Sequence, residues 1–355
     1  METNVDIDIS TINIYFSRDK ENQSNKSSIL RTKIVNYSHF SINEANISYK
    51  ISQIPYYSNF FSILHDYDEL NISQLNENII EKLKIVEENR YYLFKYSDRN
   101  SCDFIDFLYS ITSIKKLIFD IINVFPHLLH GLHLLNEKNI CFFDISPKNI
   151  IFIENYREKP VLSNFKFSLQ LNRLDYSYIS HILNKLDDFT YQPFEIHLLF
   201  YFVKHNMVTI SDNFIEEFCE NFVENLHILR LFSENYKKSY KEQCIQTMNK
   251  YINLSRKEII YDIFERNNKW DVYGISILFL QIFGSISRVF SLKGTFISKI
   301  TMELSKNLHP DSDKRMTLER TLNEFNKLLN QEENWSYINK LSNTKLEQLF
   351  DDLSR

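Results

Sequence analysis

The segment from Phe142 to Asn149, Phe-Phe-Asp-Ile-Ser-Pro-Lys-Asn, constrains the fold and chemistry of this chain more than any other. It is followed by the apolar run Ile150 to Ile153, which predicts a short buried strand after a loop. On such a loop, Asp144 can accept the proton of an attacking hydroxyl group, and the side-chain carbonyl of Asn149 can help to hold a metal ion that bridges phosphates. Two simpler roles stay open: Asp144 could cap the loop, and Asn149 could hydrogen-bond the turn.

Hydrophobic periodicity divides the chain into a strand-rich front and a helical back. Four segments of the front predict short strands: Thr11 to Phe16, Leu30 to Val35, Phe60 to Leu64 and Tyr91 to Phe94. Residues 42–54 predict a helix that ends before Pro55, and the polar stretch Asp19 to Ser28 predicts a loop. From Ser113 onward the pattern is mostly helical, and Val272 to Phe283 predicts a buried core helix. This arrangement predicts an α+β protein with two lobes.

The composition is typical of a soluble globular protein. The chain is 43% hydrophobic and 25% charged, with a formal net charge of −5. Because both signs are mixed along the chain, we expect neither a nucleic-acid partner nor a membrane-binding surface. Residues 1–10 lack the apolar core of a secretory signal. The four cysteines are scattered without metal-ligand spacing, which predicts reduced thiols and a cytoplasmic location.

Phe142 to Asn149 resembles the catalytic loop of protein kinases, where an Asp likewise stands five residues before an Asn. Four further segments match that family in its own order: Leu129 to Glu137 (the helix before the loop), Tyr191 to Glu195 (the Ala-Pro-Glu motif), Trp270 to Gly274 (the central helix whose Asp binds the loop backbone) and His309 to Arg315 (whose Arg pairs with Glu195). The resemblance covers roughly residues 30–330. Within the family, the chain looks most like kinase-like proteins of large DNA viruses.

The resemblance implies a bilobal, protein-kinase-like α+β fold. The small, strand-rich lobe would comprise residues 30–96, preceded by a strand and a polar loop in residues 1–29. The large helical lobe would comprise residues 97–330, and residues 331–355 would form a C-terminal helical tail. A helical insertion at about residues 200–268 is either a docking or regulatory element or a thickening of the large lobe.

The resemblance also implies a site for ATP and Mg²⁺. Asp144 would be the catalytic base, and Asn149 and Asn164 would hold the metal. Ser146 takes the catalytic-loop position where kinases usually have a Lys. The other cofactor-binding candidates are Lys33 and Glu44 as the phosphate-anchoring pair, Phe94 at the gatekeeper position and Tyr96 in the hinge. The alternative for Lys33 and Glu44 is that both are solvated surface charges.

Several residues depart from the kinase pattern. No glycine precedes Gly131, so the chain lacks the Gly-rich loop whose backbone approaches phosphates closely. Residues 164–166 read Asn-Phe-Lys where kinases have Asp-Phe-Gly, which replaces a metal-binding carboxylate by a neutral amide. Phe142 and Phe143 replace the His and Arg of the catalytic loop. We predict that Phe142 and Phe165 are core residues.

Two functions follow from these features. The first is an ATP-dependent protein kinase that acts on serine or threonine of a protein substrate. The second is a pseudokinase, a catalytically impaired scaffold for a protein partner. A small-molecule phosphotransferase would share Asp144 and Asn149, but it should lack the segments at residues 191–195 and 270–274 and the paired Arg315.

Overall fold

The computed structural model describes residues 30–75, 77–82, 85–86, 88–97, 101–153, 159–205, 209–290, 292–333 and 335–353. The predicted strand Thr11 to Phe16, the loop Asp19 to Ser28 and the whole segment 1–29 lie outside the described residues. Within these ranges the predicted α+β class is confirmed, because helices predominate and the strands form small antiparallel sheets.

The first sheet has three antiparallel strands in the order β1-β3-β2. These strands are β1 (Leu30–Asn36), β2 (Asp66–Glu69) and β3 (Tyr91–Ser97). The predicted strands at residues 30–35 and 91–94 are therefore confirmed. Ile34 and Leu93 belong to one apolar cluster, and Val35 and Phe94 belong to another. Because successive residues of a strand point to opposite faces, β1 and β3 contribute to apolar packing on both faces of this sheet.

The prediction of a strand from Phe60 to Leu64 is wrong. Within the described residues, Phe61 forms a single bridge to Leu162, and the strand itself lies further along the chain, at β2. Phe61, Ile63 and Leu64 are buried by side-chain packing rather than by sheet pairing. All four residues of β2 are exposed, so the strand has no alternation of apolar and polar residues that could reveal it.

The first helix, α1 (His39–Ser52), begins upstream of the predicted residue 42 and ends before Pro55, as predicted. Ser38 caps it, because its hydroxyl accepts from the backbone N–H of Ser41 while the Ser41 hydroxyl accepts from the N–H of Ser38. This reciprocal pair satisfies two N–H groups that a helix start leaves without partners. The cap therefore extends the helix beyond the apolar residues on which the prediction rested.

The remaining elements are short strands and a succession of helices. The strands form a sheet of order β4-β6-β7 and a pair β5-β8, with bounds β4 (Ser101–Asp103), β5 (Ile140–Cys141), β6 (Ile150–Ile153), β7 (Val161–Leu162) and β8 (Leu169–Gln170). The helices are α2 (Glu77–Lys82), α3 (Phe104–Tyr109), α4 (Ile114–Glu137), α5 (Tyr176–Lys185), α6 (Phe194–Lys204), α7 (Asp212–Asn225), α8 (Glu234–Asn249), α9 (Arg256–Glu265), α10 (Trp270–Phe290), α11 (Phe296–Ser305), α12 (Leu318–Gln331) and α13 (Leu346–Leu353).

Helices α4 and α10 form the centre of the main hydrophobic core. From Trp270 to Ile286, every residue except Gln281 is buried, which confirms the predicted core helix. By length and composition alone, Ile114–Glu137 and Asn267–Phe290 could each cross a membrane. In each of them the larger share of the most apolar stretch, 61% and 78%, is buried inside the protein, as in a core helix.

The helical insertion predicted at about residues 200–268 contains the end of α6 and the helices α7, α8 and α9, although residues 206–208 lie outside the described part. These helices are joined to the core and do not stand apart from it. The rings of Phe222 in α7 and Phe194 in α6 have centroids 4.9 Å apart. The buried hydroxyl of Tyr240 in α8 donates to the carbonyl of Leu308 over 2.7 Å.

A buried ion pair links α6 to the loop before α12, as the sequence predicts. Both terminal nitrogens of Arg315 donate to the carboxylate of Glu195, each over 2.7 Å. The Arg315 side chain is fully buried, and its Nε donates to the carbonyl of His309. The guanidinium also lies 5.0 Å from the ring centroid of Tyr273. Nη2 also donates to the carbonyl of Pro310, so each of the three guanidinium nitrogens donates to at least one fixed partner.

Glu195→Ala should lower the melting temperature by several degrees. The substitution leaves the buried charge of Arg315 without its carboxylate, which costs about 3–5 kcal/mol. Thermal unfolding followed by circular dichroism measures the effect. Glu234→Ala is the matched control, because that carboxylate is 78% exposed in its pair with Lys237 and is worth at most about 1 kcal/mol. Equal melting temperatures for Glu195→Ala and Glu234→Ala would contradict the structural role of the buried pair.

Candidate functional site

A cavity of about 810 Å³ collects most of the residues that the sequence singles out. The predicted site residues in its wall are Lys33, Glu44, Tyr96, Asp144, Ser146, Asn149 and Asn164. Phe94 packs behind this wall, fully buried in a cluster with Val35 and Leu64, and its ring contacts that of Tyr96. The volume lies in the range of cavities that hold cofactors and drug-sized ligands.

The loop that carries Asp144 is held by Asp271 at the start of α10. The two carboxylate oxygens of Asp271 accept from the backbone N–H groups of Phe142 and Phe143, over 2.7 and 2.8 Å. The thiol of Cys141 donates to the same carboxylate. All of these groups are buried, so a carboxylate at this position gives partners to two backbone donors that water cannot reach.

Phe143 has a left-handed backbone conformation, with φ of +67°. This conformation is rare for a bulky residue and persists only where the surroundings hold it. Three contacts do so here: Asp271 accepts from the N–H of Phe143, Gln192 donates to its carbonyl over 2.8 Å, and its ring packs against Trp270 at 5.9 Å. The turn that results places Asp144 in the wall of the cavity.

Asp144 lies in an environment that favours proton uptake. Burial raises the pKa of its carboxyl group above the usual range, and the negative charges of Asp188 and Asp187 act in the same direction. The amide of Asn149 and the positive charge of Lys166 act against the rise by favouring the ionised form. A carboxyl group with a raised pKa that faces a cavity is a suitable acceptor for a hydroxyl proton.

Asn149 and Asn164 are hydrogen-bonded to each other. The amide of Asn164 donates to the side-chain carbonyl of Asn149 over 2.8 Å, and the amide of Asn149 donates to the backbone carbonyl of Asp144 over 2.9 Å. Asn164 has φ of +62°, a left-handed conformation that asparagine tolerates better than most residues. The carbonyl that the sequence assigns to a metal ion therefore already accepts a hydrogen bond.

These residues do not fit a Mg²⁺ site of the kind that the resemblance implies. Mg²⁺ takes oxygen ligands in near-octahedral geometry and is usually held by carboxylates. Of Asp144, Asn149 and Asn164, only the first supplies a carboxylate. Across the residues that the structure describes, no group of three or more His, Cys, Asp or Glu side chains is placed to hold a metal ion.

Lys33 and Glu44 both line the cavity, one from β1 and the other from α1. Glu44 is buried and accepts from the hydroxyl of Tyr96 over 2.9 Å. The ion pair between Lys33 and Glu44 that the sequence suggests is not among the ion pairs of the described residues. Because Glu44 is buried and hydrogen-bonded, it is not a solvated surface charge. Its hydrogen bond to Tyr96 links α1 to β3.

Phe142 and Phe165 are fully buried, which confirms the prediction that they are core residues. Their ring centroids lie 5.3 Å apart, and Phe165 in turn contacts Phe61 at 6.1 Å. This aromatic stack joins the loop before Asp144 to the loop after Asn164. The stack therefore holds these two loops in a fixed position relative to each other.

The sequence left open whether Lys148 reaches the site, and the structure places it in the cavity wall; sequence reasoning missed Lys166, Asp187 and Asp188, which also line the cavity. Lys166 was visible only as the residue that replaces the glycine of Asp-Phe-Gly. That replacement was itself a signal, because it puts a flexible, positively charged side chain two residues after Asn164, a predicted metal ligand. No comparable sequence pattern marks Asp187 and Asp188. They line the cavity because the loop after α5 runs along it.

The chain matches no protein-family model, and no curated protein is significantly similar to it.

Proposed function

We propose that this chain is a protein-kinase-like protein with two lobes, which binds ATP in the cavity and transfers its terminal phosphoryl group to a serine or threonine hydroxyl of a protein. The observation that carries the proposal is the loop from Phe142 to Asn149. Asp271 anchors the backbone of this loop, and Asp144 lines the cavity. Within the loop, the side-chain amide of Asn149 donates to the backbone carbonyl of Asp144. That geometry suits a base which must meet an incoming hydroxyl group.

The proposed step uses groups of this chain alone. The hydroxyl oxygen of the substrate attacks the terminal phosphorus, and its proton passes to the carboxylate of Asp144. The bond between that phosphorus and the bridging oxygen breaks, so ADP leaves with the negative charge. Lys33, Lys148 and Lys166 line the cavity and can hold phosphate oxygens by charge-assisted hydrogen bonds.

A second candidate function is a scaffold that binds a protein partner and transfers no phosphate. The neutral amide of Asn164, which is hydrogen-bonded to Asn149, favours it, because a metal-dependent kinase needs a carboxylate at that position. A small-molecule phosphotransferase is less well supported. The buried Glu195–Arg315 pair and the Asp271 anchor are the features that such an enzyme should lack.

Other parts of the proposal rest on the sequence alone. We place the protein in the cytoplasm, with a protein substrate or partner and with neither nucleic acid nor membrane as a ligand. Its proposed relatives are kinase-like proteins of large DNA viruses. The helices α7, α8 and α9 would belong to the large lobe, in which they thicken the core or offer a docking surface.

ATP binding by the purified chain tests the proposal. We expect isothermal titration calorimetry to show one site, and we expect Lys33→Met to weaken ATP binding about tenfold or more, since a hydrogen bond to a charged group contributes about 1.5–3 kcal/mol. Lys293→Met is the control, because that lysine is exposed and lies in the turn before α11, outside the cavity wall. Absence of ATP binding by the parent chain would contradict the proposed function.

A further inference from the structure

Two neutral amides, Asn164 and Asn149, are hydrogen-bonded to each other at the position where the resemblance implies a metal ion. The bond length of 2.8 Å is that of a well-formed amide hydrogen bond, and Asn149 is 5% exposed. A divalent ion at this position would share the Asn149 carbonyl with this bond and would find only neutral ligands at Asn149 and Asn164. The phosphates of a nucleotide therefore need another source of positive charge.

Lys166 lies close to that position. It follows Asn164 by two residues in the short turn Phe165–Phe167, and it lines the cavity. Its ammonium group lies 5.0 Å from the ring centroid of Phe167. Its charge also reaches Asp144, since it lowers the pKa of that carboxyl group against the effect of burial. The ammonium group thus lies on the same side of the cavity as the proposed base.

The backbone of Lys166 is held by α1. The side-chain amide of Asn43 donates to the carbonyls of Lys166 and Ser168, over 3.1 and 2.8 Å. The hydroxyl of Tyr178 in α5 reaches the same Lys166 carbonyl at 3.5 Å. Bonds from two helices therefore hold the backbone from which the lysine side chain extends, so no backbone ordering is needed when its ammonium group meets a ligand.

We propose that the ammonium group of Lys166 takes the charge-neutralising role of a divalent cation in this cavity, so that ATP binds without a metal ion. This inference rests on the proposed function, because it names how the same site holds the triphosphate. In the described cavity wall, the number of positively charged side chains equals the number of negatively charged ones without a metal ion. The positive ones are Lys33, Lys148, Lys166 and Lys185, and the negative ones are Glu44, Asp144, Asp187 and Asp188. A bound triphosphate adds negative charge beside Asp144, where Lys166 is the nearby cation.

The test compares ATP binding by calorimetry in EDTA and in millimolar Mg²⁺. The parent chain should bind ATP with affinities that agree within about threefold in the two buffers. Lys166→Met should weaken binding in EDTA by about tenfold or more, the usual loss of a charge-assisted hydrogen bond. Lys293→Met, outside the cavity, should bind ATP like the parent.

Asn164→Asp provides the converse test, because aspartate also tolerates the left-handed backbone and restores a carboxylate. Its ATP affinity should rise at least tenfold when Mg²⁺ replaces EDTA. Parent binding that requires Mg²⁺, or unchanged binding by Lys166→Met in EDTA, would overturn the inference while leaving the proposed function intact. A parent chain that binds no ATP in either buffer would overturn both.

Discussion

Asp271→Ala should be among the most destabilising single substitutions in this chain, with a melting temperature several degrees below that of the parent. The carboxylate of Asp271 is the partner of two buried backbone N–H groups and of the Cys141 thiol. Each buried donor left without a partner costs about 1–3 kcal/mol, so the two N–H groups alone account for about 2–6 kcal/mol. Thermal unfolding and urea titration would both measure this loss.

Asp271→Asn is the matched variant, because it keeps the shape and one acceptor oxygen. It should lose less stability than the alanine variant, since one of the two N–H groups keeps a partner. Asp212→Ala, at an exposed position in the first turn of α7, controls for removal of a carboxylate from a helix start. If Asp271→Ala melted together with the parent, Asp271 would not be the anchor of the loop that carries Asp144.

The sequence was sufficient for features that depend on buried partners at fixed positions. Asp271, Glu195 and Arg315 were predicted as loop anchor and ion pair, and the contacts agree. These partners were implied by the resemblance of their motifs to those of protein kinases, and the burial of all three charged side chains explains why each needs one. The helix at Val272 to Phe283 was equally accessible, because its largely apolar run, interrupted at Gln281, is longer than a strand.

The sequence was insufficient for features that arise from exposed strands and from tertiary placement. Strand β2 is exposed throughout and is held by pairing with β3, which periodicity cannot detect. The bond from Asn164 to Asn149 joins two loops and depends on the left-handed conformation of Asn164 itself. The backbone of Lys166 is held by Asn43, which is remote in sequence and approaches only through the packing of α1.

Asp144→Asn should reduce phosphoryl transfer by about 10²–10⁴-fold, because it keeps the shape of the side chain and removes the proton acceptor. ATP binding should remain, and the fold should not weaken. Burial raises the pKa of Asp144 in the folded protein, so ionisation of this carboxyl group costs stability at neutral pH, and a neutral amide removes that cost. For the same reason, transfer by the parent should fall as the pH drops through the raised pKa and the carboxylate takes up its proton.

The most direct measurement of the central claim is transfer of labelled phosphate from ATP to a generic protein acceptor, by the parent and by Asp144→Asn, alongside ATP binding by each. Asp212→Asn, a neutralised carboxylate on the exposed first turn of α7, serves as the control and should transfer phosphate like the parent. The account predicts clear labelling by the parent, labelling near background by Asp144→Asn and equal ATP binding by both. Absence of labelling by both, with ATP still bound, would favour the scaffold function. Equal labelling by the parent and Asp144→Asn, well above background, would contradict the account.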